Sequence, residues 1–130
     1  MNLQSQKVTV AKSAEYIFNA LSLVSNFERL MPESIAKFEV LGDDAFLFML
    51  KGMPEIKLNI KEKVEFSKII LGAVSDKLPF ILTVDITTIS ENSCEVQFHF
   101  EGHFNPMMAM MVKGPVGKFI ETLAENMPKL

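Results

Sequence analysis

Asn105-Pro106-Met107-Met108-Ala109-Met110-Met111-Val112-Lys113-Gly114-Pro115-Val116-Gly117-Lys118-Phe119-Ile120-Glu121 reads as the first turns of a long helix. Asn105 is a good N-cap because its side-chain oxygen can accept from a free amide of the first turn. Pro106 suits the first helical position, where no N–H is needed. At about 100° per residue, Met108, Val112, Val116, Phe119, Ile120 and Leu123 share one arc. The opposite arc carries Lys118, Glu121 and Glu125 in its second half, but Met107, Met110 and Met111 in its first. The helix is therefore apolar all round at its start and amphipathic only after Gly114-Pro115. Pro115 lacks a donor and clashes with the Met111 carbonyl, which predicts a kink or break there.

A helix of this kind needs a surface to cover, and the preceding chain supplies one. Glu55 to Val64 alternates, with Ile56, Leu58 and Ile60 on one face and Lys57, Asn59 and Lys61 on the other. Phe80 to Ile89 places Phe80, Leu82, Val84 and Ile86 inward, and Cys94 to Phe104 does the same with Val96, Phe98 and Phe100. Such period-2 alternation marks half-buried strands. Phe38–Leu41, Ala45–Lys51 and the apolar run Lys68–Val74 complete the set, and Gly42-Asp43-Asp44, Gly52-Met53-Pro54 and Glu91-Asn92-Ser93 supply turns. About six consecutive strands joined by short turns form an antiparallel meander.

Before the meander, Leu3–Val10 is extended, with Val8 and Val10 on one face. Ser13 is placed to cap a helix over Ala14–Leu21, led by Tyr16 and Ile17. Ser25-Asn26-Phe27-Glu28 has capping-box spacing for a second short helix, which Pro32 ends after Met31. The expected class is α+β: a curved antiparallel sheet of about seven strands wrapped around the long C-terminal helix, with both short helices between strands one and two. Residues 1–130 form one domain, the usual size for a single core.

Composition excludes several classes. The chain is 48% hydrophobic and 22% charged, so ordering entropy can be offset and disorder is excluded. Thirteen Lys and Arg against sixteen Asp and Glu give a net charge of −3, which argues against a nucleic-acid partner. One cysteine, Cys94, permits neither an internal disulfide nor a multi-thiolate zinc site. No secretory signal and no membrane-spanning run is visible, so a cytoplasmic location is expected. Eleven Phe and nine Met stand beside one Tyr and no Trp. Phe and Met bring apolar volume without a group that must be hydrogen-bonded, which suits a greasy cavity or a loosely filled core.

The order β-α-α-β₆-α resembles the helix-grip fold of the START-like superfamily, also called SRPBCC, which includes polyketide cyclases and lipid-transfer domains. The resemblance spans the whole chain. It is carried by Ala11-Lys12-Ser13-Ala14-Glu15-Tyr16-Ile17-Phe18, by Asn26 through Pro32, by Lys51-Gly52-Met53 and by Asn105-Pro106-Met107-Met108. These local patterns are similar to those of a small bacterial subgroup of unassigned function. The resemblance implies a cavity between sheet and long helix that accepts apolar ligands. It implies no particular reaction, because one scaffold hosts binders, carriers and enzymes.

Other motifs have plainer readings. His99 and His103 flank Glu101, but on a strand all three point outward and the histidines lie about 13 Å apart, too far for one ion. Gly114-Pro115-Val116-Gly117-Lys118 superficially matches a phosphate loop, yet it sits mid-helix with Phe119 where Ser or Thr is required. Cys94 has no legible activating base and reads as a small buried hydrophobe. Lys57, Lys61 and Lys63 form a solvated strand face. Glu62 continues the inward parity of Ile60, where burial would raise its pKa as in a general acid, but the favoured reading is that the strand bulges or ends near Lys61-Glu62-Lys63 and leaves it at the rim. The Met107, Met108, Met110 and Met111 cluster is core, cavity mouth or dimer patch.

The expected function is binding of a small hydrophobic or amphipathic molecule, lipid- or polyketide-like, between sheet and C-terminal helix. Met108, Val112, Pro115, Val116 and Phe119 would form the floor, and Phe48, Leu58, Ile60, Leu82, Val84, Phe98 and Phe100 the wall, with Glu62 beside them. No cofactor and no metal are expected. Two alternatives stay open. One is a cyclase- or dehydratase-like enzyme using Glu62, with Tyr16 and Thr88 behind it. The other is a module that homodimerises or docks a partner through the methionines or a sheet edge.

Overall fold

The alternating segments assemble into one antiparallel sheet in a computed structural model that describes residues 1–73 and 79–130. The strands are β1 (Asn2–Gln4), β2 (Val8–Val10), β3 (Ile35–Val40), β4 (Ala45–Leu50), β5 (Ile56–Val64), β6 (Lys68–Ala73), β7 (Phe80–Ser90) and β8 (Ser93–Gly102). Their order is β1-β8-β7-β6-β5-β4-β3, with β2 also paired to β8. The helices are α1 (Ala14–Ser22) and α2 (Pro106–Asn126), with 3₁₀ segments at Val24–Leu30 and Met127–Lys129. The fold is the helix grip expected from the sequence. Val74, read as the end of the strand that starts at Lys68, lies outside the described residues.

Eight strands rather than about seven arise because the N-terminal segment is interrupted. Ser5 is buried between β1 and β2, and its Oγ accepts from the Phe98 N–H at 3.0 Å while donating to the Gln6 carbonyl at 2.8 Å. The Ser5 N–H donates to the Phe98 carbonyl at 2.9 Å. A side chain thus takes over one ladder bond, and the strand resumes at Val8 against Val96.

Ser13 caps α1 as read, accepting from the Tyr16 N–H at 3.0 Å. The second helix departs from expectation. It is a 3₁₀ segment with Leu23 at its cap and no side-chain capping bond, so the Ser25–Glu28 capping box does not form. Val24, Phe27 and Leu30 explain the tighter winding. Spaced by three, they share one face at three residues per turn, and all three are buried.

In α2, the Asn105 side chain accepts from the Met108 N–H at 2.8 Å. The helix is continuous through Pro115, so the expected break does not occur. Its second half is anchored: Phe119, Ile120, Leu123 and Ala124 are buried, and Asn126 Nδ2 donates to the Leu30 carbonyl at 2.9 Å. The first half buries only Val112.

Phenylalanines fill the trough of the sheet. Phe27 stacks on Phe46 at 5.0 Å between ring centroids, and Phe38 lies on the same ring at 5.3 Å. Phe46 adjoins Phe48 at 6.0 Å, and Phe48 stacks on Phe119 at 5.0 Å. A second group joins Phe80 to Phe100 at 4.7 Å and Phe100 to Phe104 at 6.2 Å. The last strand stops at Gly102, short of Phe104, whose ring folds back over it. A Cβ at Gly102 would stand 2.6 Å from that ring, so a side chain there would require the ring to shift.

Candidate functional site

The largely apolar start of α2 is the feature that positions a site. Met108, Met111, Val112, Pro115, Lys118 and Phe119 follow the spacing that puts helix residues on one stripe, and this stripe faces the β4–β5 turn. That turn is set by its own chemistry. The Met53 N–H donates to the Leu50 carbonyl at 3.0 Å, and Gly52 has φ +81°, the value that the third position of a type II turn requires. The Lys51 N–H donates to the Ser34 carbonyl at 3.0 Å, tying the turn to the entry of β3.

Between helix stripe and turn lies a groove of about 680 Å³, completed by Pro32, Ser34, Leu50, Met53 and Pro54. This is within the range of about 300–1,000 Å³ typical of small-molecule sites. Its lining is Met, Val, Leu, Pro and Phe, with two cations, Lys51 and Lys118, and one hydroxyl, Ser34. Among the described residues no carboxylate lines it.

The space beneath α2, where the sequence placed the cavity, holds about 20 Å³. That admits about one water and nothing larger. Phe48, Phe100, Val112, Val116 and Phe119 border it. The remaining predicted wall residues Leu58, Leu82, Val84 and Phe98 are fully buried and border neither this void nor the groove. Of the predicted floor, Met108, Val112, Pro115 and Phe119 do line the groove. The expectation of an open interior is corrected because aromatic rings from both layers meet across it.

Ile60 and Glu62 lie elsewhere. A bulge between them on β5 breaks the inward parity, and Glu62 is exposed. Both line a separate groove with Ser22–Ser25, Asp43 and Asp44. Tyr16 is 48% exposed, with Lys12 Nζ 4.8 Å from its ring centre, and Thr88 is exposed on β7 opposite Cys94. Glu62, Tyr16 and Thr88 do not line the groove, so they supply no cyclase-type acid–base group to it.

His99 Nε2 lies 2.9 Å from Asp85 Oδ2, and His103 Nε2 lies 3.7 Å from Glu101 Oε1, both on the outer face. Among the described residues no group of three or more His, Cys, Asp or Glu is placed to hold a metal. Cys94 is buried, and burial pushes its thiol above the ordinary value. No described helix is long and apolar enough to cross a membrane.

The groove residues that sequence reasoning missed are Pro32, Ser34, Leu50, Lys51, Gly52, Met53, Pro54 and Lys118. Met111 belongs to the methionine cluster for which a cavity mouth was one of the expected readings. For the rest the available signal was Gly52-Met53-Pro54, a turn with an apolar side chain at its centre.

No protein-family model and no curated protein sequence matches this chain. Solved structures do. A START superfamily protein from Mycobacterium smegmatis superposes with a TM-score of 0.77 at 18% identity, covering 98% of this chain and 94% of that one. Truncated norcoclaurine synthase from Thalictrum flavum gives 0.74 at 18% identity, over 99% and 91%. The same enzyme in complex with dopamine and hydroxybenzaldehyde gives 0.73 at 17% identity, over 99% and 84%. The chain therefore has the START-like helix-grip fold. At these identities the likeness is one of fold alone.

Proposed function

We propose that the protein binds a small apolar or amphipathic molecule in the groove between the first half of α2 and the β4–β5 turn. The observation that carries this reading is the groove's mostly apolar lining around about 680 Å³, where the space beneath the helix holds about 20 Å³. The exposed apolar stripe on α2 supports it, since methionine adapts its shape to varied ligands at little cost. Norcoclaurine synthase, which shares this fold, forms a complex with dopamine and hydroxybenzaldehyde, both small molecules. The buried free thiol of Cys94 suits a reducing compartment, and a cytoplasmic binder is part of the same reading.

Native mass spectrometry of the purified protein, followed by titration with N-phenyl-1-naphthylamine, tests the reading. A co-purifying small molecule, or saturable fluorescence enhancement competed by it, is expected. Absence of both overturns it.

A second reading is favoured by Met107 and Met110, which are 74% and 82% exposed and do not line the groove. Two such side chains one helical turn apart form an apolar patch suited to self-association.

A further inference from the structure

We infer that the ligand taken by this groove is an amphipathic anion: an apolar chain or ring carrying one carboxylate or similar acidic head. The inference rests on the groove being the binding site and adds the charge of its occupant.

Two cations face the same apolar trough from opposite walls. Lys51 occupies the second position of the Leu50–Met53 turn and lines the groove from that side, its N–H held by the Ser34 carbonyl. Lys118 lies on the α2 stripe, seven residues after Met111 and three after Pro115. Among the described residues neither Lys51 nor Lys118 is in an ion pair, and no carboxylate lines the groove. The chain as a whole is acidic, at −3, so a groove bearing only positive charge is not the consequence of a basic surface.

This pattern selects by sign. An apolar body covering Met108, Met111, Val112 and Phe119 leaves the water-facing end of the ligand beside the ammonium groups. An anionic head gains attraction there, an alcohol gains none, and a quaternary ammonium is repelled. Because both lysines are exposed, the preference is modest and is screened by salt.

Calorimetric titration with dodecanoate, dodecan-1-ol and dodecyltrimethylammonium below their aggregation thresholds tests the inference. We expect dodecanoate to bind about tenfold more tightly than dodecan-1-ol at low salt. In a folded K51Q/K118Q variant, verified by circular dichroism, that preference should vanish, dodecanoate and dodecan-1-ol then binding with equal affinity. Equal affinities for all three ligands, or a preference that survives in K51Q/K118Q, overturn the anion and leave the groove as a site. If none of the three binds, the groove reading fails and the inference with it. Co-sedimentation with phosphatidylglycerol vesicles without dodecanoate binding also overturns it, by assigning the lysines to a membrane surface.

Discussion

Phe48 on β4 and Phe119 on α2 lie face to face, 5.0 Å between ring centres and 10° from parallel, so that sheet and helix meet ring on ring. Phe119 borders both spaces. Replacing it with alanine removes a buried ring and joins the two voids. Phe119→Ala should therefore destabilise the fold by about 3–5 kcal/mol. If it stays folded, it should also accept a bulkier ligand than the native groove does. Urea denaturation gives the first quantity and probe titration the second. A loss under about 1 kcal/mol would mean that the stack does not hold the layers together.

Met111 tests the groove without touching the core. It is 67% exposed yet lines the site, so Met111→Glu should change stability by less than about 0.5 kcal/mol. A carboxylate set against an apolar ligand must be desolvated or must displace it, and it also opposes an anionic head. Affinity for N-phenyl-1-naphthylamine should fall about tenfold, equivalent to about 1.4 kcal/mol. Unaltered probe affinity in a folded variant would move the site elsewhere.

Much of this architecture is legible in the pattern of residues. Strand parity over Phe80–Ile89 and Cys94–Phe104 places Leu82, Val84, Phe98 and Phe100 inward, because a half-buried strand has only two faces. The same rule applied to β5 holds through Leu58 and is interrupted before Glu62, where the bulge expected near Lys61-Glu62-Lys63 resets the alternation and leaves the carboxylate exposed. Parity also cannot tell a residue facing a void from one facing another ring. Phe48 has the same inward sign whether or not Phe119 stands 5.0 Å away, so the position of the open space depends on how both layers interdigitate.

Ser5 is a comparable blind spot, a serine whose burial no periodicity foretells. Its Oγ is the partner of the Phe98 N–H on β8. Ser5→Ala leaves that amide buried without an acceptor and should cost about 1–3 kcal/mol. Ser5→Thr keeps the hydroxyl and separates loss of the bond from loss of the side chain. Hydrogen exchange at Phe98 should accelerate in the alanine variant only. Protection equal to that of the native chain would show that another group satisfies the amide.

Met107 and Met110 decide between a monomeric binder and a self-associating one. If the exposed patch joins two copies, light scattering should show a mass rising with concentration. The Met107→Lys, Met110→Lys double variant should then remain monomeric, because it places like charges across the two-fold contact. Neither residue lines the groove, so ligand affinity should be unaffected. A native mass that is constant with concentration removes the second reading.

Cys94 gives the protein a pH dependence of known sign. Its side chain is buried on β8 between Val10 and Thr88 of the flanking strands, and burial disfavours the thiolate, raising the thiol above 9.0. In the unfolded chain the group titrates at its ordinary value. Above that pH the unfolded state has released a proton that the folded state retains. The contribution to stability is thus complete below pH 9.0 and is lost as pH rises through the higher folded value. Between about pH 8 and about pH 10 the native protein should lose more stability than Cys94→Ala, measured as urea midpoints with the same slope. The native thiol should also react slowly with a soluble disulfide reagent, at a rate set by local opening rather than by thiolate content. Equal losses in both proteins, or rapid labelling under native conditions, would show that water reaches Cys94 and that the sheet opens at β8 more readily than its packing allows.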